Sequence, residues 1–225
     1  MKFFLIFLIL FVFKHTSGEK IKIIVVNHIN QRKKYPTGCE SISTIMALNY
    51  SNIDITPEEF IDNYLEKGIF YYKNGQLYAP NPNDKFVGSP YDDNSYGCYE
   101  PVIEKALKKL ISDRKLDYEV KNLNNIPMDE LIRDYIDKDI PVIFWATMDM
   151  DPPGYGNMWI VPETGEKFQW RSNEHCLLLV GYNEYGYYFN DPLKYENLTL
   201  YVNKILVEER HKEQYAMAVA LVKKN

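Results

Sequence analysis

Cysteine is scarce in this chain: there are three among 225 residues, Cys39, Cys98 and Cys176. None belongs to a CxxC pair, which argues against a structural zinc site. Long apolar runs are missing as well. The longest, Phe3 to Phe13, has 11 residues, and a bilayer span needs roughly 20. Positive charge is in deficit, with 26 Lys and Arg against 31 Asp and Glu, net −5. That balance argues against nucleic acid or anionic lipid as a partner. Internal repeats and low-complexity linkers are also lacking, so one domain is expected.

What the chain does have begins at its N-terminus. Met1-Lys2, the short apolar run and the small-residue exit Thr16-Ser17-Gly18 form a signal-peptide pattern. Cleavage is expected after Gly18, and an uncleaved anchor is the other reading of the same run. Cleavage removes Lys2 and Lys14, leaving 24 basic and 31 acidic residues and a net charge of −7. The expectation is a secreted protein without stable membrane insertion, its single domain spanning 19–225. In an oxidising compartment Cys98 and Cys176 either pair as a disulfide or remain two buried thiols. Asn49 and Asn197 head glycosylation sequons.

The hydrophobic share of 46% suits a globular core. Lys20 to Val26 reads as a strand, and the cysteine helix follows and ends near Asn49. Thr56-Pro57-Glu58-Glu59 opens a helix expected to run to Lys67. Asn74-Gly75 marks a hairpin. Helices open at Pro101 and Pro127, with a short strand at 116–120 between them. Strands are expected at 140–147, 167–170, 175–182, 187–190 and 215–222, with a helix over Tyr201–Glu213. Helices first and strands later, without βαβ alternation, indicate an α+β fold with a mostly antiparallel sheet.

Cys39 follows Tyr35-Pro36-Thr37-Gly38 and begins an apolar helix. Free N–H groups and the positive end of the dipole at a helix N-terminus favour a thiolate. Buried cysteines are also common as small hydrophobes, so the assignment of a nucleophile leans on histidine spacing. His28 lies in a polar loop and His211 in a charged helix. His175 opens an apolar strand 136 residues after Cys39, a separation found in papain-like enzymes. Asp191 lies 16 residues further on, and a strand pair would bring it to the same sheet edge as His175. A nucleophile, a base and an orienter in this order suit acyl chemistry.

The segments Tyr35–Ser41, Gly97–Ile103, Asn173–Leu177, Val180–Tyr182 and Tyr188–Pro192 together resemble the stand-alone relatives of the bacteriocin-processing (double-glycine-leader) cysteine peptidases. The likeness runs from about Val26 to Leu221. It implies a papain-like fold whose nucleophile-bearing helix packs on the sheet, and it needs no cofactor or metal. By match, Cys39 is the nucleophile, His175 the base and acid, Asp191 the orienter and Gln31 an oxyanion-hole donor. Transporter-fused members carry membrane spans and a P-loop, and this chain has neither, so a peptide or protein other than a double-glycine leader is the expected substrate. Acyl transfer or amide hydrolysis on the same triad is a second reading, and a non-catalytic extracellular binding protein a third. Pro80–Gly97 and Asp149–Asn157 read either as cleft walls or as ordered surface loops.

Overall fold

The computed structural model describes residues 21–194 and 199–224. The expected signal peptide and the sequon residue Asn197 lie outside them. In chain order the elements are β1 (Lys22–Ile23), α1 (Cys39–Tyr50), α2 (Pro57–Asn63), β2 (Lys67–Gly68), β3 (Tyr71–Lys73), β4 (Gln76–Tyr78), β5 (Phe86–Val87) and α3 (Glu100–Asp113). Next come β6 (Tyr118–Asn122), α4 (Met128–Asp134), β7 (Val142–Thr147), β8 (Tyr155–Ile160), β9 (Lys167–Arg171) and β10 (Glu174–Tyr182). The chain closes with β11 (Gly186–Asn190), β12 (Thr199–Asn203), α5 (Lys204–Glu213) and β13 (Ala218–Lys223).

The fold is α+β, as the sequence pattern implies. A seven-stranded sheet runs β12-β11-β10-β7-β13-β6, with β1 added to β10. Every pairing in it is antiparallel. Side chains alternate across a strand, and β7 uses both faces. Phe144 stacks on His211 of α5 at 3.9 Å, while the Trp145 indole donates to the Cys98 carbonyl, ahead of α3, at 3.1 Å. α1 lies against β10 and β7. It is buried from Cys39 to Leu48, so the expected face of Ile42, Ile45 and Met46 is only part of what it hides. A smaller sheet, β3-β4-β8-β9, flanks the first. Its β3–β4 hairpin turns at Asn74 and Gly75, both at positive φ, as a tight two-residue turn requires.

Several boundaries differ from the pattern reading. The strand expected over 20–26 is reduced to β1, which meets only the tip of β10. Gly181 allows that approach: a Cβ there would stand 2.3 Å from the Lys22 carbonyl oxygen. α2 stops at Asn63 rather than Lys67. The Lys67 ammonium takes the Ile61 carbonyl at its end, freeing Lys67–Gly68 to pair with β5. The helix expected over Tyr201–Glu213 begins at Lys204, where the Asn203 side chain caps it by accepting from Ile205 N–H. Residues 199–203 instead pair with β11. β8 starts inside the stretch read as the loop 149–157. Cys98 and Cys176 are buried thiols, not a disulfide.

His211, set aside in the sequence as part of a charged helix, is 4% exposed. Its Nδ1 lies 2.8 Å from the Trp145 carbonyl, so that nitrogen carries the hydrogen. Burial pushes its pKa down to about 4, against a smaller opposing effect of the Trp145 bond. An unfolded histidine titrates near ~6.5. As pH falls from there, the unfolded chain takes up a proton that the fold refuses, and stability is lost progressively until about pH 4. Urea unfolding between pH 7 and 4 should show His211→Phe losing less stability than wild type, by about 3 kcal/mol. Equal losses in the two proteins would refute this.

Candidate active site

Cys39 is the first residue of α1, after Gly38, and no side chain caps this helix start. Its N–H is therefore one of the donors that a helix N-terminus leaves open. The helix is docked on β10 by Ser43, whose hydroxyl donates to the Cys176 carbonyl at 3.1 Å. That contact sets Cys39 beside the start of β10, where His175 pairs with Ala146 of β7.

The β10–β11 hairpin does what the spacing implies. His175 Nε2 lies 2.7 Å from Asp191 Oδ1, and both residues are almost completely buried. Burial alone would raise the Asp191 pKa. The hydrogen bond and charge of His175, together with the Leu193 N–H, outweigh it and hold the carboxyl below its usual value. Asp191 is thus an anion aimed at the imidazole, as an orienting group must be.

Residues 26–32 clasp the Asp191 loop. Asn190 donates to the Val26 carbonyl at 2.9 Å, and His28 Nε2 lies 2.7 Å from the Asp191 carbonyl. The side chains of Asn30 and Arg32 donate to the carbonyls of Lys194 and Leu193. Gln31 N–H donates to the Pro192 carbonyl at 2.9 Å. The Gln31 side chain is buried and turns the other way, its Nε2 donating to the Pro36 carbonyl at 3.0 Å. Gln31 therefore bridges the loop of Asp191 and the loop that delivers Cys39.

Gln31, Cys39, Tyr96, Trp170, Glu174 and His175 line one cavity of about 340 Å³. The two loops expected as cleft walls both contribute, Ser95 and Tyr96 from one and Gly156 and Asn157 from the other. Asn157 Nδ2 donates to the Tyr96 hydroxyl at 2.6 Å and ties the walls together.

The electrostatics differ from the sequence expectation. The Cys39 thiol is pushed well up, by burial first and then by Glu40 and Glu174. These effects oppose the lowering that a helix N-terminus would bring. The thiol donates to Glu40 Oε2 at 3.3 Å. Glu40 Oε1 accepts the Cys98 N–H at 2.6 Å. Burial raises the Glu40 pKa to about 7, with the Cys98 N–H working against it. Glu174 is raised well above the carboxylate range by burial and by Glu40. Sequence reasoning gave these two acids no role. The signal was present: each adjoins a candidate catalytic residue in the chain. One donor atom each of Cys39, Glu40 and Glu174 lies within 4.8 Å of the other two.

The comparisons agree with this architecture. A family profile described as "Peptidase_C39 like family" matches residues 23–219. The chain is 25% identical over 207 residues to the uncharacterised protein YvpB of Bacillus subtilis (strain 168), covering 92% of this chain and 77% of that protein. It shares a fold with a crystal structure from Bacillus anthracis described as a "putative C39-like peptidase". That match has a TM-score of 0.78 and 24% identity, and covers 92% of this chain and 99% of the other.

Gly97 is the space on which the acidic cluster depends. Its φ is +140°, and a Cβ there would stand 2.5 Å from Glu40 Oε1 and 3.2 Å from Glu174 Oε2. Gly97→Ala should cost about 1–3 kcal/mol in denaturant unfolding, from crowding and backbone strain. An unchanged midpoint would mean that the carboxyls move aside freely.

Proposed function

The chain belongs to the C39-like peptidase family, and from that premise we propose that it is a secreted cysteine peptidase working through Cys39, His175 and Asp191. The observation that carries the reading is the buried 2.7 Å contact between His175 and Asp191, on the cavity that Cys39 lines from a helix N-terminus.

In this mechanism the Cys39 sulfur attacks the scissile carbonyl carbon as its proton passes to His175. The receiving nitrogen is Nδ1, because Nε2 is held by Asp191. The carbonyl oxygen becomes an oxyanion. The Cys39 N–H and the second N–H of the Gln31 amide are its donors, the first amide N–H being fixed on Pro36. His175 then protonates the departing amine, leaving a thioester on Cys39. Water activated by His175 cleaves the thioester, releases the acid and restores the thiol. Asp191 keeps the imidazole tautomer and orientation throughout and does not take its proton. Residues 1–18 direct export, which predicts Glu19 as the mature N-terminus. Mass spectrometry of protein recovered from the medium reads this directly, and an intact Met1 there would overturn it.

The test of the activity is cleavage of a mixed peptide library by the purified 19–225 chain, followed by mass spectrometry. Wild type should release free carboxyl termini, and Cys39→Ala should release none. Asp191→Ala should lower kcat by about 10⁴, and Gln31→Ala by about 10²–10³. Products joined to an added amine in place of free acids would mark acyl transfer. Cleavage that survives Cys39→Ala would overturn the assignment.

A further inference from the structure

Glu40 directly follows the candidate nucleophile and Glu174 directly precedes the candidate base, yet the mechanism above uses neither. Glu40 is fully buried and Glu174 is 8% exposed. One oxygen of each carboxyl and the Cys39 sulfur all lie within 4.8 Å of one another. Two full negative charges at that range in a poorly solvated interior repel strongly. Carboxyl pairs relieve such repulsion by retaining a proton.

The surroundings supply little else. Glu40 has the Cys98 N–H on one oxygen and the Cys39 thiol on the other. Glu174 Oε1 has no hydrogen-bond partner and is buried. The titratable groups facing the cluster are Cys39 from α1, Cys98 and Tyr99 ahead of and at the start of α3, and His175 and Cys176 from β10. Among these only His175 can become a cation, and its Nε2 is engaged by Asp191. The upward displacement of both acids and of the thiol agrees with a cluster short of positive charge.

We propose that Glu40 and Glu174 share one proton and, through the Cys39–Glu40 hydrogen bond, hold the nucleophile as a thiol in the resting enzyme. They are positioning residues that act on Cys39 and do not reach the scissile bond. The meaning of the proposal rests on Cys39 being the nucleophile. Its test reads the thiol itself, so a protein that cleaves no peptide can still pass it.

The experiment is alkylation of Cys39 by iodoacetamide across pH, followed by mass spectrometry of the Cys39 peptide, in the folded 19–225 chain. The thiolate displaces iodide and forms the S–C bond, while the thiol proton leaves to solvent, so the rate follows the thiolate fraction. Glu40→Gln and Glu174→Gln should each move the midpoint down by about one unit, making labelling at pH 7 roughly tenfold faster. Midpoints that stay in place or rise would overturn the proposal. So would faster labelling of wild type on adding a chelator, because a cation rather than a proton would then lie between the acids. Should the two variants fail to fold, infrared spectra of Glu100→Gln decide the matter, since Glu100 is the other buried glutamate among the described residues. A carboxylic-acid C=O band persisting at about pH 6, above the ordinary glutamate range, supports the shared proton, and its absence overturns it.

Discussion

The site depends on the docking of a helix start against a strand start. α1 presents Cys39, β10 presents His175, and the Ser43 hydrogen bond to Cys176 fixes one against the other. Neither element could shift by a turn without burying a different side chain at the junction, because α1 is packed on every face along its first ten residues. Interiors this dense do not deform gradually. The geometry of the candidate nucleophile is therefore inherited from the core rather than from the loops around it.

Placing reactive groups in a core has an electrostatic consequence. Burial favours neutral forms, and it acts on the thiol and both acids together. Asp191 escapes because it faces an imidazole and a backbone N–H. Glu40 and Glu174 face each other, and the same burial raises the pKa of both. Four buried groups thus divide into one carboxyl held below its usual pKa and a cluster of three groups raised above theirs. Their partners set the division, since the depth of burial is similar throughout.

Much of this was legible before any coordinates. The order and type of most elements followed from apolar periodicity and from Pro, Gly and Asn punctuation. The meeting of His175 and Asp191 followed from spacing along two strands and a turn. Periodicity could not separate a strand from a helix at 199–203, where one cap residue, Asn203, decides the boundary. It could not find β8, whose exposed and Gly-containing sequence resembles a loop until it pairs with β9. Tertiary contact alone distinguishes His211 on Phe144 from a solvated helix residue. The Glu40–Glu174 cluster joins residues 134 positions apart, and neither local propensity nor charge counting records such a pairing.

The clasp of residues 26–32 around 190–194 also bears on when the site can exist. Its hydrogen bonds join positions about 160 residues apart, and contacts so distant in sequence close late in folding. During synthesis the helix that bears Cys39 emerges long before His175, Asp191 and the loop that anchors Gln31. The nascent chain carries the candidate nucleophile without the candidate base and orienter until nearly its whole length is available. In a chain built in this order the candidate site is incomplete while its own unfolded segments are still exposed.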